Sequence, residues 1–316
     1  MSTAGARTDE SPPKADATLS VRDVAFIGTG LMGAHMARRL GEAKLHVVAW
    51  NRSPAKAYAL EPSGVKVAED PVEAVRHADV VFCMLSDAAA VEEVIFGSGL
   101  AEALRPGSTV VDMSSIDPVS ARQHASRLGD IGVEHMDAPV SGGTSGAKAG
   151  TLAIMVGGSK GAFDRLTDLL GILGTPRYIG NSGSGQLAKL TNQIIVGITI
   201  CAVAEGILFA ARAGADPAAV IGSLKGGFAE SRVLNEHGAR MLEHAFEPGG
   251  PVRLQLKDLR TALEVARREG VQLPATEIVT HLYEELARHD GADLDHSALL
   301  LEIERINDPM VSDRGS

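Results

Sequence analysis

The chain has only two cysteines, Cys83 and Cys201, far apart and each inside an apolar run, so buried unreactive thiols are expected. Its ten histidines are scattered and no Cys or His group has metal-ligand spacing, so no resident metal is expected. A basic excess is missing too. The formal charge of −10 argues against a general nucleic-acid binder, because phosphate neutralisation needs a basic surface. Residues 1–20 lack the apolar core of a secretory signal, and Asp9, Glu10 and Asp16 do not suit an organellar transit peptide. They read as a disordered tail, and the cytoplasm is the expected location. The apolar run from Ile194 to Ala211 approaches membrane-span length, yet Glu205 lies inside it and no basic belt flanks it. A buried helix in a soluble core, not a membrane anchor, is the expectation.

What is present is ordinary globular material. The 316 residues are 45% hydrophobic and 22% charged, enough chain for two domains. In so acidic a protein, any anion site needs its cations concentrated locally, so each Lys or Arg within a Gly-rich motif is informative. From Val21 onward, short β-branched runs alternate with helical stretches. Val24–Ile27, His46–Trp50, Ala78–Leu85, Ser108–Met113, Glu134–Asp137 and Leu152–Val156 read as strands, and Leu31–Leu40 as an amphipathic helix. Apolar strands separated by helices indicate an α/β fold, a doubly wound parallel sheet covered on both faces. The alternation stops near Gly180. A long helical pattern then runs to Ala213 with Gly214 placed to end it, and segments 217–225, 230–245, 254–269, 274–288 and 296–306 also read as helices. The expected organisation is a Rossmann-type domain over 21–184, an all-helical domain over 185–310 opened by the long helix, and a tail over 311–316.

Gly28, Gly30 and Gly33 form G-x-G-x-x-G directly after the strand VAFI and at the mouth of a helix. In that context the turn Gly28–Gly33, with Leu31 and Met32 inside it, is expected to carry a dinucleotide pyrophosphate on the helix N-terminus. A Gly-rich turn without ligand is the competing reading. The next strand ends in Trp50-Asn51-Arg52-Ser53. An NAD site usually has Asp or Glu here for the ribose 2′-hydroxyl. Asn51 removes the charge that would repel a 2′-phosphate, and Arg52 and Ser53 could bind one. NADP(H) is therefore expected ahead of NAD(H), although Arg52 also reads as a solvated loop residue.

Two further segments stand out. Asp137-Ala-Pro-Val-Ser141-Gly142-Gly143 exposes successive backbone N–H groups, which suits a carboxylate, or else is a plain connecting turn. Gly185-Gln-Leu-Ala-Lys189-Leu-Thr-Asn192-Gln193 opens the long helix and puts Lys189 and Asn192 on one face. A lysine in so apolar a helix either snorkels to the surface or is a functional group held in a cleft.

The strings GTGLMGAHMARRL, VDMSSIDP, DAPVSGGTSGAKAGTL and GQLAKLTNQ resemble, in order and spacing, the motifs of the β-hydroxyacid dehydrogenases, from about Val21 to about Ile306. The resemblance implies a catalytic lysine at Lys189 with Asn192 beside it. It implies a substrate loop at Ser141, Gly142 and Gly143, with Ser115 lining the same cleft. Leu85 and Ser86 would border the cofactor, and Lys257 would reach back from the helical domain toward cofactor and substrate. By the family's chemistry, Lys189 would protonate the alkoxide formed when hydride reaches the carbonyl carbon of a short semialdehyde.

The segments Gly226-Gly227-Phe228, KDLRTALE and Asp295-His296-Ser297-Ala298-Leu299 are similar to the tartronate semialdehyde reductase branch of that family. Gln255 and Arg253 depart from the pattern just before Lys257, which bears on the substrate. A 3-hydroxyisobutyrate or other 3-hydroxyacid dehydrogenase, an imine reductase and a non-catalytic NADP-binding module remain alternatives. The expected partners are a small carboxylate-bearing aldehyde or hydroxy acid and further copies of the chain, as a homodimer or homotetramer.

Overall fold

The alternation of β-branched runs and helices builds one twisted sheet in the computed structural model, which describes residues 21–308; the expected tails at 1–20 and 311–316 lie outside the described residues. Its strands are β1 (Asp23–Ile27), β2 (His46–Trp50), β3 (Lys66–Val67), β4 (Val80–Cys83), β5 (Thr109–Asp112), β6 (Glu134–Asp137), β7 (Val140–Ser141), β8 (Leu152–Gly157) and β9 (Gly174–Gly180). The order is β3-β2-β1-β4-β5-β6-β8-β7, with β9 also paired to β8. From β3 to β6 every pairing is parallel. Strands β4 and β5 are buried along their whole length, as both-face coverage requires. Helices Gly33–Glu42 and Lys160–Gly171 cover one face through Met36, Leu40, Leu166 and Leu170. Helix Pro118–Asp130 covers the other through Ala121 and Leu128.

The sheet is not wholly parallel, contrary to the expectation from sequence. β8 runs antiparallel to both β6 and β7, and β9 then returns parallel to β8. Between β7 and β8 the chain has only the seven-residue helix Gly143–Ala149, which turns it over without a full crossover. β3 and β7 are two residues each, and β9 contains Gly174 and Pro176, so neither length nor composition announces them. An edge position tolerates the proline.

At the end of β6 the carboxylate of Asp137 accepts hydrogen bonds from Gly183 N (2.8 Å) and Gln186 N (2.9 Å). These are orphan amides at the start of helix Ser184–Arg212, so the sheet itself caps that helix. Twenty-nine residues carry it about 43 Å. It is long and apolar enough to cross a membrane by length and composition. Here it is the centre of a second core, with Ile200, Ala204 and Ile207 packed among Met241, Leu259, Tyr283 and Leu299. The helices Pro217–Ser223, Arg232–Leu242, Val252–Arg268, Pro274–Leu286 and Leu299–Ile306 surround it. Cys83 and Cys201 are both buried and unpaired. Ile195, Phe209 and Ile278 remain exposed on this helical half, at 60%, 75% and 64%.

Candidate active site

The C-terminal ends of β1, β2 and β4 meet at the turn Gly28–Gly33, the place where a parallel sheet binds ligands. Gly28 has φ 97° and lies against Met84 O, where a side chain would collide. Gly33 lies directly against the Gly28 carbonyl, which lets the helix pack close to the strand. Gly30 is different: a Cβ there would meet nothing. Its bareness answers no packing need and fits backbone approach to a pyrophosphate, so the turn suits a dinucleotide. Leu31 is exposed and Met32 half-buried at the mouth of the helix. Asn51 Oδ1 accepts from Thr29 N (2.9 Å) and its Nδ2 donates to Ser53 O (3.0 Å), so this side chain braces the turn from the end of β2. Arg52 and Ser53 are exposed beside it.

Leu85 N, after β4, donates to Ser114 Oγ (2.9 Å), and Gln186 clamps the following loop by accepting from Ile116 N (3.1 Å) and donating to Ser114 O (2.8 Å). Lys257 reaches this loop from helix Val252–Arg268. Its Nζ donates to Ser115 O (2.5 Å) and Ser86 O (3.2 Å) and pairs with Asp258 Oδ1 (3.2 Å). The ammonium is thereby held by two main-chain oxygens and one neighbouring carboxylate. The structure thus gathers Leu85, Ser86, Ser115 and Lys257 into one place.

Lys189 is 8% exposed, in the second turn of the long helix. Burial pushes its ammonium below the ordinary lysine value; Asp258 opposes the shift and Lys257 adds to it. Its Nζ donates to Gln193 Oε1 (2.9 Å). Asn192, the residue carried over from the family motif, does not bond the lysine; its Nδ2 donates to the same Gln193 oxygen (2.8 Å). Gln193 Nε2 in turn donates to Gln255 Oε1 and Asp258 Oδ2, both at 2.8 Å. Gln193, Asp258 and the clamp Gln186 are site residues that sequence reasoning missed. The available signal was spacing: Gln193 is four residues after Lys189, on the same helix face. The loop Ser141–Gly143 runs from β7 into helix Gly143–Ala149, with Gly142 at φ 137° and Gly143 at φ 60°.

The fold also assembles two groups of metal-type ligands from residues distant in sequence, which the linear spacing did not announce. Asp112 of β5, His135 of β6 and His124 of helix Pro118–Asp130 are buried together, with ligand-type atoms within 4.8 Å of one another. Burial pushes Asp112 up to about 7 and His135 down to about 3. His237, Asp295 and His296 form the other group, where the Asp295 carboxylate already accepts from the amides of Gly249, Gly250 and Ser297.

A dinucleotide turn at the head of a mainly parallel sheet, joined to an all-helical half that opens with a buried lysine, defines a pyridine-nucleotide-dependent oxidoreductase. The chain belongs to the NAD(P)-dependent β-hydroxyacid dehydrogenase family. Residues 23–185 match the family described as the NAD binding domain of 6-phosphogluconate dehydrogenase, and residues 183–303 that described as NAD-binding of NADP-dependent 3-hydroxyisobutyrate dehydrogenase. The chain is 42% identical over 285 residues to 2-hydroxy-3-oxopropionate reductase of Escherichia coli, covering 89% of this chain and 97% of that protein. Among solved structures it resembles 3-hydroxyisobutyrate dehydrogenase of Mycobacterium tuberculosis with L-serine, at TM-score 0.82 and 30% identity over 90% of this chain and 99% of the other. Psf3 in complex with NADP+ and 2-OPP has TM-score 0.81 and 26% identity, covering 89% of this chain and 99% of its own.

Proposed function

We propose that the protein reduces a short carboxylate-bearing semialdehyde, such as tartronate semialdehyde (2-hydroxy-3-oxopropionate), to the hydroxy acid with NADPH. Lys189 is the proton-transfer residue. The observation that carries this reading is a lysine held at 8% exposure beside the end of the nucleotide-binding sheet, its ammonium weakened by burial. The bound nicotinamide supplies the hydride. Lys189 donates its proton to the developing alkoxide, and in the reverse direction accepts the hydroxyl proton. The Ser141–Gly143 loop holds the substrate carboxylate, Ser115 lines the same cleft and Asn192 orients the substrate oxygen. Lys257 adds positive charge at the cleft, which favours an anionic substrate and a less basic Lys189.

The preference for the phosphorylated cofactor rests on Asn51 in place of a carboxylate and on exposed Arg52 beside it. The similarity to the Escherichia coli reductase supports the substrate class. Exposed Ile195, Phe209 and Ile278 support self-association of the helical half into a homo-oligomer. The test is cofactor consumption with a panel of short semialdehydes, including tartronate and methylmalonate semialdehydes, with NADPH and NADH in parallel. Rapid NADPH-dependent reduction of tartronate semialdehyde is expected. A clear preference for methylmalonate semialdehyde would reassign the substrate to the 3-hydroxyisobutyrate type. Silence across the panel despite NADPH binding would overturn the reading.

A further inference from the structure

Gln193 is a buried amide whose four hydrogen-bonding positions are all used. Its Oε1 accepts from Lys189 Nζ at 2.9 Å and Asn192 Nδ2 at 2.8 Å, while its Nε2 donates to Gln255 Oε1 and Asp258 Oδ2, each at 2.8 Å. An amide can in principle sit either way round, and its neighbours decide which. Here the Asp258 carboxylate only accepts, so the edge facing it must be the NH2 group. The oxygen then has to face Lys189. Gln255 is itself held, because its Nε2 donates back to the main-chain oxygen of Gln193 at 2.9 Å. Nothing in this arrangement is free to invert. Gln255 and Asp258 are 2% and 5% exposed, so water does not compete for these bonds.

From this geometry we infer that Gln193 is a positioning residue, which anchors Lys189 Nζ through an amide whose direction is set by Asp258 and Gln255. The inference rests on the reading of Lys189 as the proton-transfer group. It explains why a carboxylate so near the lysine is not its direct partner. A neutral amide oxygen accepts one N–H whether Lys189 is ammonium or amine, so the nitrogen keeps its place through the proton cycle. A carboxylate at the same point would favour the charged form and resist proton release. The remaining valences of Nζ stay available to the substrate oxygen. Gln255 acquires a role in the same network as the residue that keeps the Gln193 amide from turning.

The test compares Gln193→Met, the double variant Gln193→Glu with Asp258→Asn, and Lys189→Met in the full-length protein, with thermal melting and NADPH affinity measured for each. Gln193→Met keeps the volume and removes the acceptor. It is expected to lower kcat about tenfold to hundredfold, as loss of alignment of a reacting group does, with the aldehyde KM and NADPH affinity little changed. Gln193→Glu is made together with Asp258→Asn, so that an amide NH2 and not a second carboxylate faces the new side chain; the acceptor is kept and the negative charge moves directly beside Lys189. The double variant is expected to shift the pH limb assigned to Lys189 upward in both reaction directions. A merely structural glutamine would lower the melting temperature and leave the pH profile unmoved. The inference is overturned by wild-type kcat in Gln193→Met, or by an unshifted limb in the double variant, while Lys189→Met is inactive. Retained turnover in Lys189→Met would instead bring down the reading of the lysine itself. Should Gln193→Met fail to fold, the pH profile of the double variant decides alone.

Discussion

Lys257 Nζ lies 2.5 Å from the main-chain oxygen of Ser115, so a helix of the C-terminal half is bonded to the loop that follows β5 of the sheet. A second bond to Ser86 O at 3.2 Å extends the tie to the loop after β4. This ammonium adds a second tie between the two halves, beside the bonds of Gln186 to Ser114 and Ile116.

Lys257→Met should loosen that tie without emptying the core, since the methylene stem is largely kept. The expected outcome is a fall in kcat/KM of roughly tenfold to hundredfold, the scale of a lost charge-assisted contact of about 1.5–3 kcal/mol. Steady-state kinetics with a fluorescence titration of NADPH checks it, and cofactor affinity should weaken in parallel.

Lys189→Ala should lower turnover by about two to four orders of magnitude, the usual contribution of a positioned acid or base, and leave NADPH binding intact. The sign of the pH dependence follows from the lowered ammonium value. Aldehyde reduction needs the protonated lysine, so its rate should fall as pH rises through that value. Alcohol oxidation needs the free amine and should rise over the same interval. Rates measured in both directions across pH 6–10, roughly the interval below an ordinary lysine, test this. Limbs that run the other way would exclude Lys189 as the group titrating.

Asn51→Asp should keep the acceptor for Thr29 N, which Asn51 Oδ1 now supplies at 2.9 Å, and add a negative charge at the end of β2. NADPH affinity should fall by at least about tenfold, the scale of one charged contact, while NADH affinity rises. Arg52→Ala should weaken NADPH alone. Equal losses for the two cofactors would mean that neither side chain reads the 2′-phosphate.

The buried pair Asp112 and His135 should set opposite pH dependences of stability. His135 is pushed from 6.5 to about 3, so between those values only the unfolded chain takes up the proton. Stability from this group falls as pH drops, by about 1.4 kcal/mol per unit. Asp112 is raised from 3.8 to about 7, so its contribution is complete at low pH and is lost as pH rises toward 7. From about pH 4 to 6.5 the two slopes oppose each other. His135→Leu should gain stability on acidification through that window, and Asp112→Asn, which still accepts from Ser114 N, should lose it. Urea unfolding at several pH values measures both slopes.

Much of this protein is local in character and was legible from residue order alone. Strands such as His46–Trp50 and Val80–Cys83 are short β-branched or apolar runs, and the structure places strands within the stretches so read. The long helix follows from an uninterrupted apolar pattern ended at Gly214, where φ is 85°. The turn Gly28–Gly33 and the lysine in GQLAKLTNQ are likewise written in consecutive residues, because a backbone turn and a helix face are set by near neighbours.

Tertiary structure decided the rest. The antiparallel entry of β8, the edge strand β9 and the capping of the long helix by Asp137 depend on which distant segments become neighbours. The same holds for the partner of Lys189. Spacing alone made Asn192 and Gln193 equally available to it, and only the approach of Gln255 and Asp258 from another helix turns the Gln193 oxygen toward the lysine. Hydrogen-bond direction is a property of the whole environment of a buried amide, and no stretch of sequence encodes that environment by itself.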